Sequence, residues 1–160
     1  MKIYSKHELN NYSLSLTYDD ISLIPKEVSR VKTRSGVNIK SNFLERELAV
    51  PVVSSPMDTV TGIAMAKELS SMGCIGIVNR FDSSLSELFS NGNAVEGIQS
   101  VSVGLNEDDA LLEKIAANNL IVCIDTANAN NAHVLQKCEE IKKKYNVKVI
   151  VGNIAHGGTL

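Results

Sequence analysis

Polar side chains recur at the ends of apolar runs in this sequence. Ser54, Ser55 and Met57 follow the valines of PVVSSPMDTVT (51–61), Asn79 and Arg80 follow CIGIV (74–78), Asp125, Thr126 and Asn128 follow LIVCI (120–124), and Asn153 follows VKVIV (147–151). A hydroxyl, an amide, a carboxylate and a guanidinium gathered at one edge can hold a ribose, a phosphate and a base edge by hydrogen bonds. The alternative for each residue is a cap on the helix that follows it. Asp125 is the hardest to reduce to a cap: a carboxylate closing a wholly apolar strand costs desolvation unless it is partnered, and ligand hydroxyls are suitable partners.

Other chemistry finds less support. His7, His133 and His156 lie in the leading segment, at a helix start and beside the terminus, so no His-Asp-nucleophile grouping is visible. Cys74, Cys123 and Cys138 have no metal-ligand spacing and read as reduced structural thiols, with Cys123 inside an apolar strand. No metal site is expected. Gly157 and Gly158 complete no phosphate-binding motif, and neither G-x-G-x-x-G nor a Walker pattern follows any strand. The adjacent Asp19 and Asp20 read as a turn or a cap.

The elements that must position these residues alternate in a steady strand-helix rhythm, which predicts a parallel α/β sheet. The first apolar run, bounded by Pro51 and Pro56, leads to a helix expected from about Val60, with Asp58 and Thr59 as caps and Val60, Ala64, Met65, Leu69 and Met72 on its stripe. Gly73 stops that helix before CIGIV. A short helix around 85–89 precedes the third strand, GIQSVSVG (97–104). Asn106 is the expected cap of the next helix, with Glu107, Asp108 and Asp109 in its first turn and Leu111 and Ile115 inward. LIVCI is the fourth strand. The helix expected over about 131–145 carries Val134, Cys138, Ile141 and Tyr145 on one stripe and Lys142, Lys143 and Lys144 in its last turn, and VKVIV is the fifth strand.

The 160 residues suffice for one domain with a core, and 44% hydrophobic and 21% charged residues with a formal charge of -2 describe a globular chain without the basic excess of a nucleic-acid or membrane-surface binder. No apolar run reaches the ~18 residues of a membrane span and MKIYSKHELNNY lacks a signal-peptide core, so a cytoplasmic location is expected. Residues 1–45, with scattered charges, Pro25 and Gly36, read as an arm laid over a domain at 46–160.

LTYDDISLIP (16–25), VVSSPMDTVT, GCIGIVNRF, CIDTANANNAHV and VIVGNIA, in this order and spacing, resemble the IMP dehydrogenase and GMP reductase family over nearly the whole chain. The resemblance implies a (β/α)8 barrel that interconverts purine nucleoside monophosphates, GMP and IMP, by hydride transfer with NADPH or, alternatively, NAD. In the complete enzyme it implies a homotetramer and leaves room for a monovalent cation. Ser55 and Met57 match positions that contact the purine nucleotide; Asp125, Thr126 and Asn153 match positions near the nicotinamide ribose. Arg80 falls where members often carry a lysine facing the active site, which makes it an auxiliary catalytic candidate.

Dehydrogenases of this family usually insert paired CBS modules after the second barrel strand, whereas here the third strand follows soon after Arg80. CIDTANANNAHV also looks more like the reductase version, while SSPMDTVT is nearer to dehydrogenases. The reading favours GMP reductase (GMP and NADPH to IMP, ammonia and NADP) over an IMP dehydrogenase without CBS modules (IMP and NAD to XMP). The family's cysteine nucleophile lies on a loop after the sixth strand, and a closed barrel takes eight strands and about 250 residues. The expectation is therefore an amino-terminal portion with about five βα units, inactive alone. A catalytically dead nucleotide-binding or interaction module is the alternative.

Overall fold

The computed structural model describes residues 17, 19–81, 85–89 and 92–155. His7, Leu16, Tyr18, His156, Gly157 and Gly158 lie outside them. The chain divides into two compact units, one ending at Val37 and the other starting at Asn38. In the first, one turn of 3-10 helix at Arg34–Gly36 has no buried residue. Asp20 closes a turn by accepting from the Thr17 amide (2.8 Å) and hydroxyl (2.9 Å), bonds that hold its carboxyl below the usual range. The turn reading of the paired aspartates stands.

The second unit opens with a hairpin, β1 (Ser41–Phe43) and β2 (Arg46–Leu48), paired antiparallel. Then come α1 (Ile63–Ser71), β3 (Ile77–Val78), α2 (Leu85–Leu88), β4 (Ser100–Val103), α3 (Asp109–Ala117), β5 (Ile121–Asp125), α4 (Ala132–Tyr145) and β6 (Val149–Gly152). The larger sheet runs β3-β4-β5-β6, all parallel, and the run before α1 joins it through a single bridge, Val53 to Ile75.

Strand alternation divides the apolar residues into two cores. Val78, Val101, Val103, Val122 and Ile124 face the helices and pack with Ala66, Leu88, Leu112, Ile115, Val134 and Ile141. Ile75, Ile77, Ile121 and Cys123 cluster on the other face with Leu48 of the hairpin, flanked by Phe43, Leu44 and Ile150. The β5 strand is buried on both faces among apolar neighbours, which is why LIVCI shows no polar alternation, whereas β4 carries the buried Ser100 and Ser102 on one parity. Each large apolar side chain contributes about 1.5–3 kcal/mol on full burial. Long-range bonds seat the hairpin: Arg46 donates to the Asn119 carbonyl (2.8 Å), and Lys148 donates to the Leu44 carbonyl (2.8 Å) and pairs with Glu45.

Two local expectations are corrected. Helix α1 starts at Ile63 with Gly62 as its N-cap and no capping side chain; Asp58 instead accepts from the Thr59 amide (2.8 Å) within the preceding turn. Its buried residue is Ala66, while Val60, Met65 and Met72 are exposed. The phase is set by a close approach: a Cβ on Gly76 would stand 2.4 Å from the Ala66 Cα, so the helix face that meets β3 must be small. At α3 the N-cap is Asp108, whose carboxylate accepts from the Leu111 amide (2.7 Å), and not Asn106. Gly73 does follow the end of α1 in a left-handed conformation (φ 72°), and Asn131 caps α4 by accepting from the His133 amide.

Candidate functional site

The carboxyl ends of the parallel strands carry a groove of about 570 Å³. Ser54, Ser55, Met57 and Asp58 form one wall, Ile77, Cys123 and Ile150 form the floor, and Phe81, Asp125 and Asn153 complete the rim. Three separate segments, the run before α1 and the ends of β5 and β6, thus bring polar side chains to one cavity, and the end of β3 adds Phe81.

The wall is built by Thr61. Fully buried, its hydroxyl donates to the Ser55 carbonyl (2.7 Å) and lies 2.8 Å from the Ser54 hydroxyl, which also accepts from the Ile77 amide (3.3 Å). Asn79 fixes the other side of Thr61. Its buried amide donates to the Thr61 carbonyl (2.9 Å) and accepts from the Phe81 amide (3.0 Å), so Asn79 holds backbone and does not line the groove.

Arg80 reaches from the end of β3 past Gly104 to Asp125, its Nε 3.5 Å from the Asp125 Oδ2. That separation gives an ion pair without a hydrogen bond, and the buried Nε has no hydrogen-bond partner. The guanidinium lies over the Phe81 ring, 4.1 Å from its centroid. Thr126 ties β5 to β6, its amide and hydroxyl both donating to the Gly152 carbonyl (2.8 and 3.0 Å), and is not part of the groove lining. Asn128 accepts from the Asn130 amide, closing the loop before α4.

Cys123 is buried and its thiol is pushed up to about 12, chiefly by burial and then by the Asp125 charge. A thiol so held is no nucleophile at neutral pH. Among the described residues no group of three or more His, Cys, Asp or Glu could hold a metal ion, and no helix is long and apolar enough to cross a membrane. Phe81 and Thr61 were not singled out as site residues from the sequence. Phe81 had a usable signal, an aromatic directly after a polar pair at a strand end; Thr61 had none, because the turn that folds its hydroxyl back onto Ser54 and Ser55 is not marked by residue type.

A parallel sheet with hydroxyls, an amide, a carboxylate and an aromatic ring around a groove at its carboxyl ends defines an α/β protein with room there for a ligand. The chain belongs to the IMP dehydrogenase / GMP reductase family, an oxidoreductase family, whose domain it matches over residues 15–159. A GMP reductase from Lysinibacillus sphaericus (strain C3-41) is 33% identical over 143 residues, covering 86% of this chain and 43% of that protein. An inosine-5'-monophosphate dehydrogenase from Cryptosporidium parvum is 24% identical over 190 residues, covering 90% and 47%. The crystal structure of the inosine 5' monophosphate dehydrogenase from Legionella pneumophila matches with a TM-score of 0.73 at 25% identity, covering 89% of this chain and 45% of that one. The chain thus spans under half the length of these relatives.

Proposed function

We propose that this chain forms one half of a (β/α)8 purine nucleoside monophosphate oxidoreductase of the GMP reductase type, in which GMP and NADPH yield IMP, ammonia and NADP. The observation that carries it is the convergence of Ser55, Met57, Asp125 and Asn153 on one groove at the carboxyl ends of a parallel sheet. The reductase direction is favoured by relatives named GMP reductase at 33% and 30% identity, against 24% for the dehydrogenase.

Ser55 and Met57 offer a hydroxyl and a soft apolar surface to a purine, and Asp125 two carboxylate oxygens to ribose hydroxyls. The Asp125 carboxylate on the groove, held by Arg80 and offering two acceptor oxygens, fits the ribose hydroxyls of a nicotinamide cofactor. When bound, that cofactor supplies hydride. Asp125 and Asn153 would hold its ribose end, with Thr126 fixing the β5 and β6 ends that carry them. The groove's thiol, Cys123, is unsuited to attack a purine carbon, so turnover draws on elements corresponding to the rest of the relatives' length.

Calorimetry of the 160-residue chain with GMP and IMP tests the reading. Saturable binding is expected, weakened about two- to tenfold by Ser55→Ala, in line with roughly 0.5–1.5 kcal/mol for a hydrogen bond. Absence of binding to either nucleotide refutes the nucleotide site. NADPH oxidation with GMP by this chain alone refutes the half-enzyme reading.

A further inference from the structure

Phe81 is 60% exposed, although it lines the groove. An exposed phenylalanine on a free surface samples several rotamers, but this one is held from two sides. Its amide donates to the side chain of the almost fully buried Asn79, which fixes the backbone from below. Its ring carries the Arg80 guanidinium at 4.1 Å, and that guanidinium is itself held by the Asp125 carboxylate at 3.5 Å. The outcome is an immobilised aromatic surface facing solvent, with an acceptor for hydroxyls on the same rim. Preorganised, exposed aromatic area next to a polar anchor is what a stacked ligand uses, since little ordering entropy remains to be lost on binding.

We propose that Phe81 is a stacking platform for the planar heterocycle of a ribonucleoside, with Asp125 taking the ribose hydroxyls and Arg80 locking ring and carboxylate at a fixed spacing. The inference rests on the nucleotide-site reading above and adds to it a contact and a ligand geometry. Stacking on a π-face tolerates any flat ring. The heterocycle is therefore either the purine of the substrate or the nicotinamide of the cofactor, and the two are separated by the ligands tested.

The sequence contains no tryptophan, so Phe81→Trp places a single tryptophan on the platform, excited selectively at about 295 nm apart from the four tyrosines. Titration of this variant with IMP and, separately, with reduced nicotinamide mononucleotide is expected to quench it saturably with the ring that stacks there. Phe81→Leu keeps apolar bulk without a ring face and is expected to weaken that ligand about tenfold by calorimetry. Ribose 5-phosphate, which has no ring, is expected to bind native and Phe81→Leu chains equally. If Phe81→Leu binds both ring-bearing ligands as tightly as the native chain, or the tryptophan stays unquenched at saturation, the platform is refuted. Should Ser55→Ala still weaken binding in that case, the nucleotide site survives. If the native chain binds neither ligand, both readings fall together.

Discussion

Replacing Gly76 by alanine tests how the groove wall is held to the sheet. The new Cβ would stand 2.4 Å from the Ala66 Cα, 2.8 Å from its Cβ and 3.3 Å from its carbonyl oxygen, all on α1. Two of the three atoms are backbone, so no rotamer change relieves the contact and α1 must retreat by about 1 Å, an overpacking that costs roughly 1–3 kcal/mol. Against this stands a gain of about 0.4–1 kcal/mol from the stiffer unfolded chain. A net loss of about 1–2 kcal/mol lowers the melting temperature by roughly 2–8 °C for a chain of this size. Gly152→Ala is the matched control: nothing lies within 4 Å of its would-be Cβ, so only the unfolded-state gain applies and the sign reverses. Urea titration followed by circular dichroism measures both. Because α1 follows directly on the loop carrying Ser55 and Met57, Gly76→Ala is also expected to weaken GMP binding. A Gly76→Ala chain as stable as the Gly152→Ala chain would refute the account of α1 packing.

Thr61→Val keeps the shape but removes the donor to the Ser55 carbonyl, at a cost of about 1–3 kcal/mol read by urea titration, whereas Thr61→Ser retains most of the stability; a loss in Thr61→Ser with none in Thr61→Val would show that the methyl group, and not the hydroxyl, holds the wall. The Cys123 thiol, raised to about 12, stays protonated through neutral and mildly alkaline pH, so a maleimide at pH 8 is expected to label the partly exposed Cys138 well before Cys123 in the native chain. Rapid labelling of Cys123 under those conditions, read by peptide mass spectrometry, would contradict its burial.

Where local pattern and tertiary packing agreed, the sequence was sufficient. The β5 run LIVCI and the α4 stripe of Val134, Cys138, Ile141 and Tyr145 are long and periodic, and both lie where expected. The start and phase of α1 were not readable, because they depend on Gly76 accepting Ala66 and on Asn79 holding the Thr61 carbonyl, contacts that no local window contains. Asp108 outcompeted Asn106 as a cap by geometry two residues along, a distinction finer than residue preference, since both types cap well. At the groove, Ser55, Met57, Asp125 and Asn153 were legible as polar or soft residues ending apolar strands. Asn79 and Thr126 satisfied the same rule and turned out to hold backbone, because a strand-end side chain can face the cavity or the neighbouring loop.

The Lys148 bond to the Leu44 carbonyl spans 104 residues, and the Arg46 bond to the Asn119 carbonyl spans 73. During synthesis at ~5–20 residues per second, the hairpin waits about 5–20 s after emerging before its second anchor exists. The first strands made are therefore among the last to be fixed. For that interval Phe43, Leu44 and Leu48 are unclaimed apolar surface, and the order of translation, as much as the final contacts, decides what they first meet.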